Sequence, residues 1–208
     1  MEVERRFLSL EDQADALGIE TRDDGSVRLR GYAAVYDSLS ENLGQFRERL
    51  LPGAFDRVLS KRKLSVVANF NHSSDHVLGR TENGTLELRS DERGLYFEVQ
   101  PPDTQFARDL LTQVRRKDIA AASFAFTVDP KDEAYASDER GETIRTIRSV
   151  SGLFDVSVVT SGAYKAASVS VRSFEAWKQS TPRKSLLELP AARAAAGLSI
   201  LRLRTVAR

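Results

Sequence analysis

Both histidines of the chain fall within one stretch, NFNHSSDHVLGR, as His72 and His76. Imidazole titrates nearest to neutrality, so two rings in one loop could shuttle a proton or hold a metal ion. Two further polar residues stand in apolar surroundings, Ser123 in IAAASFAF and Asp155 in LFDVSVV. Together the set could supply a base, a nucleophile and an acid that orients the base, the combination used for acyl transfer. Each residue also has a plainer role. The histidines suit an exposed polar loop, Ser123 a tightly packed sheet, and Asp155 a strand end that reaches water or Arg148. His72 and His76 with Asp75 could instead bind a metal, although no H-E-x-x-H pattern and no obvious further ligand accompany them. The absence of cysteine removes disulfides, a thiol nucleophile and thiolate metal sites. The absence of G-x-S-x-G argues against an α/β-hydrolase.

These residues need strands to position them. Alternation puts Leu64, Val66, Ala68, Phe70 and His72 on one face, so His72 is expected to end an apolar row and His76 to lie in the exposed loop beyond. A functional histidine is therefore expected at 72. Ser123 points away from Phe124, Phe126 and Val128 and shares its face with Ile119, Ala121 and Ala125. The small neighbours leave room for another chain to approach the hydroxyl. Asp155 falls with Leu153, Ser157 and Val159, opposite Phe154, Val156 and Val158. A carboxylate on so apolar a strand needs a positive or hydrogen-bonding partner, and a histidine fits.

The rest of the pattern is mainly β. SVRLRGYAAVYD alternates as a strand with Val27, Leu29, Gly31, Ala33 and Val35 on one side, and GTLELRSDERGLYFEV reads as a hairpin turning before Gly94. Asp103 or Thr104 can cap a helix carrying Phe106, Leu110 and Val114. Strands are expected near 119–128, 142–150 and 153–161, with DPKDEAYASDERGE as a loop between the first two. ASVSVRSF continues as an extended piece toward a short helix near Trp177. Many short strands with few helices predict a closed or partly open β-barrel carrying peripheral helices.

With 41% hydrophobic residues the chain can bury one sizeable core. The start lacks the apolar stretch of a signal peptide, and no run of about 18 apolar residues suits a membrane span, so a cytosolic protein is expected. Net charge is +1, yet residues 180–208 hold Arg183, Lys184, Arg193, Arg202, Arg204 and Arg208 against Glu188 alone. The expected organisation is an N-terminal segment 1–22, a domain 23–178, and a basic tail 179–208, flexible or partly helical, that could meet an acidic partner.

Several ordered blocks resemble the HK97-type prohead proteases of tailed phages, serine peptidases related in fold to the herpesvirus assemblins. They are RGYAAVYDSLSENLGQFRERLLPGAFD, NH…LGR from Asn71 to Arg80, GTLELRSDERGLYFEVQPPDT, RDLLTQVRRKDI, ASFAFTV and LFDVSVVTSGAY, covering Arg28 to Tyr164. The family pattern puts the catalytic histidine at His72, the nucleophile at Ser123 and the acidic partner at Asp155, with His76 at a variable position. Ala122, Ala125 and Ser161-Gly162 depart from it in residues that set local turn geometry. Pro52-Gly53 is expected to set a turn before a short helix. The resemblance implies an assemblin-like barrel that cleaves scaffold or capsid-protein segments inside an assembling procapsid in the host cytoplasm, and itself as well. It implies no cofactor or metal, and the major capsid protein with its scaffold segment as partners. It leaves room for a homo-oligomer, and neither membrane nor nucleic acid is expected. A noncatalytic scaffold-binding factor of the same fold is the alternative.

Overall fold

The alternating stretches become strands in the computed structural model, which describes residues 3–7 and 17–160. In chain order these are β1 (Glu4–Phe7), β2 (Leu17–Thr21), β3 (Val27–Val35), β4 (Arg47–Leu50), β5 (Val67–Phe70) and β6 (Val77–Arg80). Then follow β7 (Leu86–Ser90), β8 (Gly94–Val99), β9 (Ala121–Thr127), β10 (Glu133–Ser137), β11 (Thr143–Ile147) and β12 (Gly152–Val159). Helix α1 (Asp56–Leu59) precedes β5 and helix α2 (Gln105–Arg115) precedes β9.

The strands pair as three sheets, β1-β9-β12-β5-β6, β2-β3-β8-β7 and β10-β11-β4. The mainly β class holds, but among the described residues the pairing closes no barrel. The reason lies in the edges: the sheets end at β1 and β6, at β2 and β7, and at β10 and β4, and among the described residues no ladder joins one sheet to another.

Local chemistry accounts for most boundaries. Thr104 caps α2, its Oγ1 accepting the Ala107 N–H at 3.3 Å. Leu110 and Val114 on the buried face of the helix join the core. In the hairpin, Leu86 pairs with Val99 and Leu88 with Phe97. Pro52-Gly53 lies in the turn before α1, with Gly53 at φ +79°. Gly79, the glycine of LGR, has no room for a side chain: a Cβ would sit 2.6 Å from Val99 Cγ2 and 2.9 Å from Thr85 O. The core gathers Leu29, Leu95 and Phe97 of one sheet against Ala68, Phe124, Phe126 and Val156 of the other. Phe124 is central, 5.5 Å from the ring of Phe55 and 4.7 Å from that of Phe126.

Three expectations change. The segment after Val128 is not one loop, because Pro130–Asp132 makes a 3-10 turn and β10 pairs along the whole of β11. The segment 1–22, set apart from the domain on sequence, contributes β1 to the largest sheet and β2 to another. In β3 a bulge between Tyr32 and Ala34 interrupts the alternation, so Ala33 and Ala34 are both buried. The basic tail, the extended piece ASVSVRSF, the helix near Trp177 and Ser161-Gly162 lie outside the described residues. Among the described residues no helix is long and apolar enough to cross a membrane.

β1 is fastened by charge. Arg145 on β11 is 1% exposed and reaches Glu4 at 2.5 Å, Glu48 at 2.7 Å and Glu133 at 2.5 Å. Arg6 on β1 contacts the same Glu4 and Glu48, at 2.6 and 2.8 Å. Burial alone would lower the Arg145 pKa, but hydrogen bonding to Glu4 and the charges of Glu48 and Glu4 outweigh it, and the guanidinium is held firmly protonated. Burial also raises the Glu133 pKa, only partly offset by Arg145.

Removing that cation leaves three buried carboxylates with Arg6. Arg145→Ala is therefore expected to lose about 3–5 kcal/mol of stability at neutral pH. Protonating the stranded glutamates relieves their repulsion, so the deficit against wild type should shrink as pH falls through the carboxylate range. Urea unfolding of both proteins at pH 7 and pH 5 checks this. A deficit under about 1 kcal/mol, or one that grows in acid, would refute the ionic account.

Candidate active site

The register of the five-stranded sheet lays out a row of polar side chains. Ser123 of β9 lies opposite Ser157 of β12, which lies opposite Asn69 of β5. Asp155 stands two residues before Ser157, opposite Ala125 and Val67. Its neighbours differ from simple alternation, because β12 bulges between Leu153 and Asp155. Leu153 turns into the core at 4% exposure, while Phe154, expected on the face of Val156, is 44% exposed. One extra residue shifts every side chain before it to the other face.

His72 reaches this row by a turn rather than by the strand. Val66, Ala68 and Phe70 follow the expected apolar row, but β5 ends at Phe70, and Asn71 and His72 adopt φ of 51° and 54°. Two left-handed residues in succession are unusual, and asparagine and histidine tolerate the region better than most. The pair carries the imidazole across to the side of Asn69 and Ser157. Asn71 fastens the turn, its N–H donating to Val158 O at 2.9 Å and its Oδ1 accepting from Thr160 N–H at 3.2 Å.

The result is a chain of short contacts. His72 Nδ1 lies 2.7 Å from Asp155 Oδ1, and Nε2 lies 2.7 Å from Ser123 Oγ. The two side chains of the first pair are 12% and 14% exposed, enough shielding to strengthen their attraction relative to water. Ser123 is only 3% exposed, and its hydroxyl also donates to the backbone carbonyl of Arg6 on β1, at 2.7 Å. The other chain that its small neighbours admit is thus the protein's own first strand. One hydroxyl proton has two acceptors within reach, His72 Nε2 and Arg6 O.

His76 does not join the set. It is exposed, with its ring 4.3 Å from that of Phe106 on α2 and 6.3 Å from that of Phe70. Among the described residues no three His, Cys, Asp or Glu side chains are grouped so as to hold a metal ion. Arg148, considered as a partner for Asp155, instead donates to the carbonyl of Lys131. Two contributors escaped sequence reasoning, Asn69 and Ser157. Ser157 shares its face with Asp155 by simple alternation, and that was the available signal.

A model of the caudovirus prohead serine proteases matches residues 15–180. The chain belongs to this family. Within it, the prohead protease of Enterobacteria phage HK97 is 26% identical over 159 residues, which cover 75% of this chain and 65% of that one. The chain thus spans about 65% of the length of that relative. The capsid assembly protease of bacteriophage T4 superposes over 76% of this chain and 99% of its own, with a TM-score of 0.41 and 10% identity.

Proposed function

We propose that the chain is a serine endopeptidase that cleaves scaffold or capsid-protein segments during maturation of a tailed-phage procapsid, its own chain included. The observation that supports this best is the run of contacts from Asp155 through both nitrogens of His72 to Ser123, in a member of this family. Asp155 keeps a proton on Nδ1, which leaves the Nε2 lone pair to receive the Ser123 proton. Ser123 Oγ bonds to the peptide carbonyl carbon as that proton moves, and the carboxylate stabilises the imidazolium. Collapse breaks the C–N bond, and the amine departs with the proton from Nε2. Water then repeats the sequence on the acyl-enzyme and releases the acid. Because Ser123 is nearly buried under Arg6, substrate entry requires the covering chain to draw back locally.

The partners of this reading are the major capsid protein and its scaffold segment, met inside the assembling procapsid in the host. The kinship in fold with herpesvirus assemblins belongs to the same proposal. Incubating the purified protein with its cognate capsid protein and reading fragment masses is expected to give discrete products. An intact capsid protein that still co-purifies with the chain would make it a noncatalytic assembly factor instead.

His76→Ala is expected to cleave within about two-fold of wild type, as befits an exposed ring outside the contact chain. Chelators should leave the rate unchanged. Loss of cleavage in His76→Ala or on chelation, with His72→Ala still active, would replace the serine mechanism by a metal-dependent one.

A further inference from the structure

Ser157 is 1% exposed and sits at the junction of the contact chain. Its Oγ lies 2.5 Å from Asn69 Oδ1, 2.9 Å from Asp155 Oδ1 and 3.0 Å from His72 Nδ1. A hydroxyl has one proton and two lone pairs, so these three contacts cannot all be donations. The proton goes to one of two oxygens that can only accept, Asn69 Oδ1 or Asp155 Oδ1. A lone pair of Oγ then faces Nδ1, beside the carboxylate oxygen of Asp155 at 2.7 Å. With two acceptor oxygens crowding it, Nδ1 must carry hydrogen, because a bare nitrogen lone pair there would meet only lone pairs.

From this geometry we infer that Ser157, oriented by Asn69 and Asp155, is a positioning residue that sets the tautomer of His72. The inference rests on the reading of Ser123, His72 and Asp155 as the catalytic set, and it adds a second constraint to the one Asp155 supplies. The register supports it, since Asn69, Ser157 and Ser123 lie in one row across β5, β12 and β9. Asn69 is itself 5% exposed, so its amide is shielded from water that would compete for the Ser157 proton. Three strands thus fix the direction of a single hydrogen. Once Nδ1 holds a proton, Nε2 is left as the acceptor that faces Ser123.

The charged group against the ring is Asp155. Arg5, whose register partner on β9 is Ala125, lies on the next row of the sheet, and Asp75 and His76 follow in the exposed loop. An uncharged hydroxyl that accepts from Nδ1–H still favours the imidazolium. Removing it should therefore weaken the hold on the Nδ1 proton and let the Nε2–H tautomer compete. The chain has only two histidines, so a spectrum of protein labelled with nitrogen-15 in histidine contains two rings, with His76 as the internal reference.

In wild type the neutral His72 is expected to hold its proton on Nδ1. Ser157→Ala should show a mixed tautomer and roughly a tenfold fall in kcat with KM little changed, as for one lost hydrogen bond to a charged group. Ser157→Thr, which keeps the hydroxyl, should restore the tautomer. A folded Ser157→Ala protein with the wild-type tautomer overturns the inference, even if its turnover falls. Should Ser157→Ala not fold, Ser157→Cys decides, since a thiol fills the site but accepts a hydrogen bond poorly. A mixed tautomer there supports the inference, and an unchanged one overturns it. The tautomer is read without substrate, so a wild-type protein that cleaves nothing would sink the protease reading and leave this test standing.

Discussion

Ser123→Ala is expected to reduce cleavage by a factor on the order of 10⁶, the loss seen when a serine nucleophile acting with its base is removed. The arithmetic follows from the path. Among the described residues no other hydroxyl is shown within reach of His72 Nε2, and without Ser123 Oγ the imidazole has no serine proton to take. Binding alone can still raise the rate somewhat above that of water. Folding should survive, because the serine side chain is small and its face-mates Ala121 and Ala125 make no demand on its volume. What is lost is the hydrogen bond from Oγ to Arg6 O, worth about 1 kcal/mol, while β1 keeps its ladder on β9 and its buried ion pairs. Fragment mass spectrometry over a long incubation, together with urea unfolding of the same sample, separates the two effects. Wild-type cleavage by the folded variant would end the serine mechanism.

How much of this was legible depended on sequence distance. Helix α2, the β7–β8 hairpin and the turn before α1 rest on local periodicity and capping, and Thr104, Gly94 and Pro52-Gly53 mark them within a few residues. The candidate residues stood out as polar groups within or at the end of apolar rows, but their joint assignment rested on the resemblance to the prohead proteases. Their faces were harder. His72 departs from the row of Ala68 and Phe70 because two successive residues adopt a left-handed backbone, and only Asn71 hints at it. Asp155 parts from Leu153 because of a bulge that leaves no mark in composition. β1 and β10 carry no strand signal in the sequence because each is short and polar by itself. Glu4, Arg6, Glu48, Glu133 and Arg145 read as ordinary surface charge until the sheets bring them together, and that convergence is a tertiary property. The same holds for Asn69 and Ser157, whose amide and hydroxyl become informative only once the register of β5 on β12 is known.

Asp155→Asn is expected to cut turnover by roughly 10⁴-fold while preserving the fold, the scale found when the acid of a Ser-His-Asp set becomes an amide. Size is conserved, so packing beside Ser157 and Val156 should change little. The electrostatics change twice. The charge that stabilises an imidazolium 2.7 Å away is gone, and the amide can turn its NH₂ toward Nδ1, which would push the ring's proton to Nε2. An Nε2–H cannot accept the Ser123 proton. Ser157 opposes that switch, because its Oγ lies 3.0 Å from Nδ1 and still favours hydrogen there. The variant should therefore retain part of the correct tautomer, and adding Ser157→Ala should cost more than it does in wild type, since Ser157 is then the remaining acceptor that holds hydrogen on Nδ1. Asp155→Glu, which restores charge at a displaced position, should recover part of the rate. Single-turnover cleavage of a capsid-derived peptide by wild type, the two Asp155 variants, Ser157→Ala and the double variant measures these terms. A wild-type rate in Asp155→Asn would mean that the carboxylate serves the bulge and the strand rather than the ring.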